Sequence, residues 1–288
     1  MNRTVRPLDE FLSSSELQLG DIVLFRRKGS FFAKNLTRFT GDYFSHSGLI
    51  FATPHTDPGF TKTYVLECNF SGVDITPIEH FIRKRGAYVL CIKRLERDWA
   101  DARLRKVIRG HALNYIKAEY SFRTLTDLFL RTEAHLLFPR RQAAPRRAKA
   151  LEQNLRRGFK LPRAFICSGF VQYALFEAVR RASAVSSLEL EADVLSDCYF
   201  ANERWTDSLQ ADLLSVTPQD MADTSKLSWK YLIHQGEAFD ISSQDDAMAC
   251  IKASERSSRI WPRVGPWPRK PSHTTESGSR RSSGYHHG

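Results

Sequence analysis

Four short apolar segments fall within the first hundred residues, each cut off by residues that end a strand. Leu19-Gly20-Asp21-Ile22-Val23-Leu24-Phe25 reads as a turn followed by a buried strand. Ser47 to Ala52, Thr63 to Asn69 and Tyr88 to Lys93 are equally rich in aliphatic and aromatic side chains, and Gly, Pro, Asp or Arg bounds them. They are expected to be strands of one sheet, with Gly72-Val73-Asp74-Ile75 as a hairpin partner.

Helical signals follow. Asp98 to Lys117 carries Leu104, Val107, Ile108, Ala112, Tyr115 and Ile116 at the spacing of one buried stripe, and Ile166 to Arg181 does the same with Phe170, Val171, Ala174, Leu175 and Ala178. Thr76-Pro77-Ile78-Glu79 has capping-box spacing with proline at the first helical position, which predicts a brief helix through His80 to Arg83. Thr217-Pro218-Gln219-Asp220 repeats the cap-then-proline signal, and Trp229 to Ile233 is expected to close the sheet. An amphipathic start near Leu8 to Leu17, a short helix over Ser30 to Thr40, a helix over Leu125 to Phe138 and a basic one over Ala143 to Arg157 complete the reading. Beyond about residue 253 the chain turns to Ser, Arg, Pro, Gly and His without any period. The expected organisation is an α+β domain over 1–252, with a basic helical insertion at about 120–163, followed by a disordered basic tail over 253–288.

Charge is concentrated. The chain carries a formal +11, yet residues 138 to 163 hold nine Lys/Arg against one Glu and residues 253 to 288 hold seven against two. The rest is therefore slightly acidic, and without interleaved aromatics or a helix-turn-helix, zinc or RNP signature no specific nucleic-acid partner is expected. Five cysteines, at 68, 91, 167, 198 and 250, show no CxxC spacing and form an odd set, which argues against a disulfide framework and points to reduced cytosol. No apolar run approaches the ~18 residues of a spanning helix, and no secretory signal is visible at the start. No Walker loop, GxGxxG or HExxH occurs, so neither a cofactor nor a metal is expected.

Three residues carry the chemistry. His46 lies in Phe44-Ser45-His46-Ser47-Gly48, Glu67 in Val65-Leu66-Glu67-Cys68, and Cys167 in Ile166-Cys167-Ser168-Gly169-Phe170. Taken singly, the cysteine reads as a buried helix residue and the histidine as a hydrogen-bonding strand end. Together they supply a nucleophile, a base and a carboxylate to orient the base, the set needed for acyl transfer through a thioester. Cys167 in the first turn of a helix would meet the positive end of its dipole, which lowers a thiol pKa, and the amide N–H groups there can hold an oxyanion. Cys68, Cys91 and Cys198 are most simply core residues.

With those residues in view the chain resembles the circularly permuted papain-like cysteine hydrolases of the NlpC superfamily, in particular the YiiX/YebB-like group with its orthopoxvirus relatives. The matching blocks are Leu19 to Phe25, Phe44 to Ile50, Val65-Leu66-Glu67 with Gly72-Val73, and Ile166 to Phe170. Thr217-Pro218 resembles the closing segment. The resemblance implies a permuted papain-like α+β fold with a central antiparallel sheet, in which Cys167 is nucleophile, His46 base and Glu67 orienting group, the reverse of the papain order. It also implies that Ala118-Glu119-Tyr120-Ser121-Phe122 lines the cleft. Tyr120 is thereby a substrate-binding candidate, with Ser45 and Ser168 beside the chemistry as two more. The stretch from about Leu125 to Arg163 departs from the family pattern, and Gly169 stands where many relatives carry an acidic residue.

The expected function is a cofactor-free cysteine hydrolase cleaving an amide, ester or thioester of a small molecule, lipid or peptide. The alternatives are an inactive papain-like binding module and a membrane-surface acyltransferase-like protein. For the latter, the apolar Leu125, Leu128, Phe129, Leu136, Leu137 and Phe138, followed by Arg140-Arg141 and Arg146-Arg147, offer peripheral contact with anionic lipid through the 125–163 insertion. The same pattern also fits an amphipathic helix that covers the core and ends in solvated charge.

Overall fold

The computed structural model describes residues 4–27, 43–83, 88–126, 161–186, 192–201 and 208–260. Its strands are β1 (Val5–Pro7), β2 (Ile22–Arg27), β3 (His46–Ala52), β4 (Tyr64–Asn69), β5 (Gly72–Pro77), β6 (Tyr88–Arg94), β7 (Glu119–Tyr120), β8 (Ala164–Phe165), β9 (Ser228–His234) and β10 (Glu237–Asp240). Its helices are α1 (Leu8–Ser13), α2 (Ile78–Arg83), α3 (Ala102–Leu113), α4 (Cys167–Ser186), α5 (Ala192–Asp197), α6 (Leu209–Leu214), α7 (Pro218–Asp223) and α8 (Gln244–Ile260). Eight strands make one antiparallel sheet in the order β1-β10-β9-β6-β2-β3-β4-β5, and β7 and β8 make a separate parallel pair.

Strand alternation sorts the apolar residues onto two faces. Ile22, Leu24, Leu49, Leu66, Cys68 and Cys91 pack under α3 and α4, whereas Val23, Phe25, Ile50, Val65, Leu90 and Ile92 meet α1 and α2. From Cys167 to Val179 helix α4 is buried at every position: beside the expected Phe170, Val171, Ala174, Leu175 and Ala178, it buries Tyr173, Phe176 and Val179. A helix apolar all round belongs at the centre of a core. Its buried Gln172 is satisfied by donating to the Cys198 carbonyl at 2.6 Å and accepting from the Phe200 N–H at 2.8 Å.

Several expectations need correction. Strand β9 does not close the sheet: it lies between β10 and β6, and the chain returns through Gln235 and Gly236, both at positive φ (53° and 86°), into β10. That is the two-residue hairpin geometry suited to strand twist. Helix α3 starts later than its stripe implies, because Asp101 caps it by accepting from the Leu104 N–H, and it ends at Leu113, where Asn114 is the C-cap. Val107 and Ile116 consequently remain 37% and 38% exposed, and His111 takes a buried place, bonded to the Tyr115 hydroxyl at 3.0 Å. Pro77 is the last residue of the edge strand β5, where a missing N–H is tolerated, and α2 begins after it at Ile78. Helix α8 runs across the expected domain boundary to Ile260, started by Ser243, whose hydroxyl accepts from the Asp246 N–H at 3.0 Å. The capping box at Thr217 and Asp220 is formed as read. The helix expected over Ser30 to Thr40, most of the 120–163 insertion and the tail beyond 260 lie outside the described residues.

Candidate active site

β3 and β4 pair Gly48 with Glu67, Leu49 with Leu66 and Ile50 with Val65. Alternation therefore puts His46, Gly48 and Glu67 on one side, with His46 diagonal to Glu67. Gly48 between them carries no side chain, and Val65 packs against its backbone: a Cβ there would stand 2.6 Å from Val65 Cγ1 and 3.4 Å from Glu67 Cβ. The Glu67 carboxylate spans the diagonal, and Oε2 accepts from His46 Nε2 at 2.5 Å. Its other oxygen, Oε1, accepts from Thr76 Oγ1 at 3.0 Å and from Asn69 Nδ2 at 3.4 Å. Thr76, whose sequence context reads as a helix cap, thus serves the carboxylate instead.

Alternation also gives His46 the α1–α2 face, while Cys167 opens α4 on the other. They meet because the β3–β4 ladder stops at Gly48 and Glu67; beyond it β4 pairs only with β5, through Cys68 with Val73 and Asn69 with Gly72. At this open end the Ser47 N–H donates to the Cys167 sulfur, and the His46 ring hydrogen-bonds the same sulfur. With Nε2 committed to Glu67, Nδ1 is the ring nitrogen left for the thiol. Cys167 is 7% exposed, and 23% of the His46 side chain reaches solvent.

The electrostatics follow from this contact. Burial works against charge on every member, but the partners outweigh it. The charge and hydrogen bond of His46 pull the Cys167 thiol below its ordinary range, and Cys167 and Glu67 push His46 up to about 10. Glu67 is likewise held below the usual carboxylate range against burial, by the His46 hydrogen bond and charge and then by Thr76 and Asn69. The couplings thus favour the thiolate of Cys167, the imidazolium of His46 and the carboxylate of Glu67. Burial pushes Cys68, Cys91 and Cys198 above the thiol range, in keeping with their core positions.

Neighbouring backbone fixes the entry to α4. Strand β8 pairs with β7, the Ser121 N–H donates to the Phe165 carbonyl at 2.8 Å, and the Cys68 thiol donates to that carbonyl at 3.4 Å. β7 is held in turn by β5: the Val73 N–H donates to the Ala118 carbonyl at 2.9 Å, an approach that requires Gly72, where a Cβ would lie 2.4 Å from that oxygen. This sets half-buried Tyr120 opposite Phe165, two residues before Cys167; burial first, then the Cys167 charge, raises its pKa, so its hydroxyl stays protonated. Ser45 is half-buried beside His46, and its N–H donates to the Phe25 carbonyl at 2.9 Å. Ser168 is fully buried; its hydroxyl donates to the Val216 carbonyl at 2.6 Å, tying α4 to the segment before α7, and lies 4.0 Å from the Cys167 sulfur. Gly169 is explained by the same packing, since a Cβ would stand 2.2 Å from the Leu214 carbonyl oxygen. Thr76 and Asn69 were not singled out from sequence as site residues; the signal for that role was their place on the strands around Glu67.

Among the described residues no group of three or more His, Cys, Asp or Glu is arranged to hold a metal ion, and no helix is long and apolar enough to cross a membrane. No curated protein matches the chain. Residues 16–127, from the turn before β2 to the segment after β7, match the model of the Peptidase_C92 family, described as permuted papain-like amidase enzyme, YaeF/YiiX, C92 family. That stretch contains His46 and Glu67 and ends before Cys167. The match supports a relationship to the permuted papain-like amidases, and a large antiparallel sheet packed with helices is consistent with a papain-like fold.

Proposed function

We propose that this chain is a cysteine hydrolase that cleaves an amide, ester or thioester through an acyl group carried on Cys167. The observation that carries the reading is the mutual hydrogen bond and charge coupling of Cys167 and His46, with Glu67 behind the ring. The thiolate attacks the substrate carbonyl carbon and forms the C–S bond while the carbonyl electron pair moves to oxygen. N–H groups opening α4, that of Cys167 foremost, are the donors assigned to that oxyanion. Collapse expels the amine, alcohol or thiol, which takes its proton from the imidazolium. Water then gives a proton to His46 as it attacks the thioester, releasing the carboxylic acid and restoring the thiolate and imidazolium. Glu67 keeps the ring oriented throughout.

The test is alkylation by iodoacetamide at neutral pH, followed by mass spectrometry. Cys167 should label at least ~100-fold faster than Cys198 or Cys250, as expected for a thiolate beside His⁺ among buried neutral thiols. His46→Ala should remove most of that advantage. Equal labelling rates, or an unchanged Cys167 rate in His46→Ala, overturn the proposal.

A further inference from the structure

Strand β2 runs alongside the start of β3. Leu24 pairs with Ser47 and Phe25 with His46, and the Ser45 N–H donates to the Phe25 carbonyl at 2.9 Å, so Arg26 is the first residue of β2 beyond the partner of His46. Alternation gives Arg26 the face of Leu24 and of its own partner Val89, which is the face packed under α4. Cys167 opens α4 on that side, and Arg26 stands ~7 Å along the strand from Leu24. The guanidinium is half-buried and lies over the Tyr43 ring, 3.8 Å from its centroid. Tyr43 is itself fixed, edge-on to Phe44 with centroids 4.9 Å apart, and its N–H donates to Gln219 Oε1 at 2.9 Å. Of the arginines with described side chains, the others that are not exposed each face a carboxylate: Arg6 has Glu16 and Asp240, Arg94 and Arg105 share Asp21, Arg109 has Asp57 and Arg180 has Glu177. Among the described residues Arg26 has no carboxylate, and the Tyr43 ring is what holds it.

We infer that Arg26 is an anion subsite beside the His46 end of the cleft and binds a carboxylate carried by the substrate. This rests on the hydrolase reading and deepens it by naming a charged group on what is cleaved. A cation drawn partly out of water without a counter-ion costs free energy, and an incoming anion recovers that cost. Stacking occupies the flat face of the guanidinium and leaves its edge, where coplanar N–H donors match the two oxygens of a carboxylate. No carboxylate among the described residues competes for that edge, and the ring fixes its direction before the ligand arrives.

The experiment alkylates Cys167 in the full chain with equimolar mixtures of an N-iodoacetyl amino acid and its neutral N-methylamide. Glycine, β-alanine and 4-aminobutyric acid are taken in turn, so that the charge lies at three distances from the reacting carbon, and mass spectrometry reads the acid-to-amide ratio at that one sulfur. A charge-assisted hydrogen bond is worth about tenfold or more, so at the best length the acid should be preferred by about tenfold. Arg26→Met should cut that preference by about fivefold or more. Attraction of the acid to the His46 imidazolium is common to both proteins and cancels between them. Near-ultraviolet circular dichroism verifies that the variant is folded, and Arg26→Gln takes its place if it is not. A wild-type ratio below about twofold at all three lengths, or a folded variant within about twofold of wild type, overturns the inference. The hydrolase reading fails on a different measurement, the rate at Cys167 against Cys198 and Cys250. A slow Cys167 with an Arg26-dependent ratio therefore sinks the chemistry and keeps the subsite.

Discussion

At one end of the β2–β3 ladder the chain buries Asp21 with Arg94, and at the other end His46 with Glu67. Asp21 is fully buried, and Arg94 grips it as a fork, Nε to Oδ1 and Nη2 to Oδ2, both at 2.7 Å. The Gln18 N–H adds a third bond at 2.9 Å, and Arg94 also donates to the Glu16 carbonyl at 2.7 Å. Burial pushes the Asp21 carboxyl up and the fork opposes it, but a guanidinium does not release its proton, so this pair can only hold the strands in place. His46 touches a carboxylate on one nitrogen and a thiol on the other, keeps part of its ring in water, and can give up a proton. Burial of an ion pair is common to both ends. A mobile proton and an adjacent nucleophile are found at only one of these two.

The largest effects should separate the two ends cleanly. Cys167→Ala is expected to lower hydrolysis by about 10⁴-fold or more, as loss of a nucleophile does, while costing no more than ~1 kcal/mol of stability. Arg94→Met should do the opposite. Leaving Asp21 buried with only the Gln18 N–H and the more distant Arg105 guanidinium, at 3.8 Å, costs about 3–5 kcal/mol, or roughly 10 °C in melting temperature, with turnover per folded molecule kept near wild type. Thermal melts run beside active-site titration check both. Loss of turnover in folded Arg94→Met would break the comparison.

Sheet and site were legible in the sequence to different depths. Strands β2, β3, β4 and β6 stood out as apolar runs with clear stops, and the cap at Thr217 was formed as written. The β9–β10 hairpin escaped because its turn is Gln235-Gly236, in which only the glycine is a usual left-handed residue. Helix α8 escaped because its buried side, Ala247, Cys250 and Ile251, is narrow and sits in a polar, serine-rich stretch. At the site, the types of Cys167, His46 and Glu67 could be read, yet their meeting could not. It depends on the ladder ending at Gly48 and Glu67, so that a ring from one face reaches a sulfur from the other. For Ser168, a place next to a nucleophile says nothing of the direction of the side chain. Here the helix turns it toward Val216.

Smaller effects sharpen the contrast by following the proton. With His46 pushed up to about 10 and Cys167 lowered, kcat/KM should be bell-shaped. On the acid side it falls as the thiolate is protonated, below the ordinary thiol range. On the alkaline side it falls as pH rises through about 10 and the imidazolium that protonates the leaving group is lost. His46→Gln should remove the alkaline limb and lower kcat/KM by about 10²–10³-fold, within the range set by general acid–base catalysis. Stopped-flow hydrolysis across pH reads this, and a limb that persists in His46→Gln would assign it to another group.

The finest test lies at Thr76. Its hydroxyl is the closer of the two side chains that hold Glu67 Oε1, at 3.0 Å against 3.4 Å for Asn69. Thr76→Val keeps the shape and removes the donor, which costs about 1.5–3 kcal/mol as a hydrogen bond to a buried charged group. If that bond orients the carboxylate, Glu67 loosens its hold on Nε2 and the imidazolium loses part of the support that raised it. The alkaline limb then moves to lower pH and kcat falls by about 3–10-fold, KM stays near wild type, and Thr76→Ser restores both. A merely packing Thr76 would shift the melting temperature and leave the limb where it was, as any change around Asp21 and Arg94 should. Carboxylate orientation is therefore what a variant two side chains from the sulfur can measure, because the His46 proton reports on it and the Arg94 proton never does.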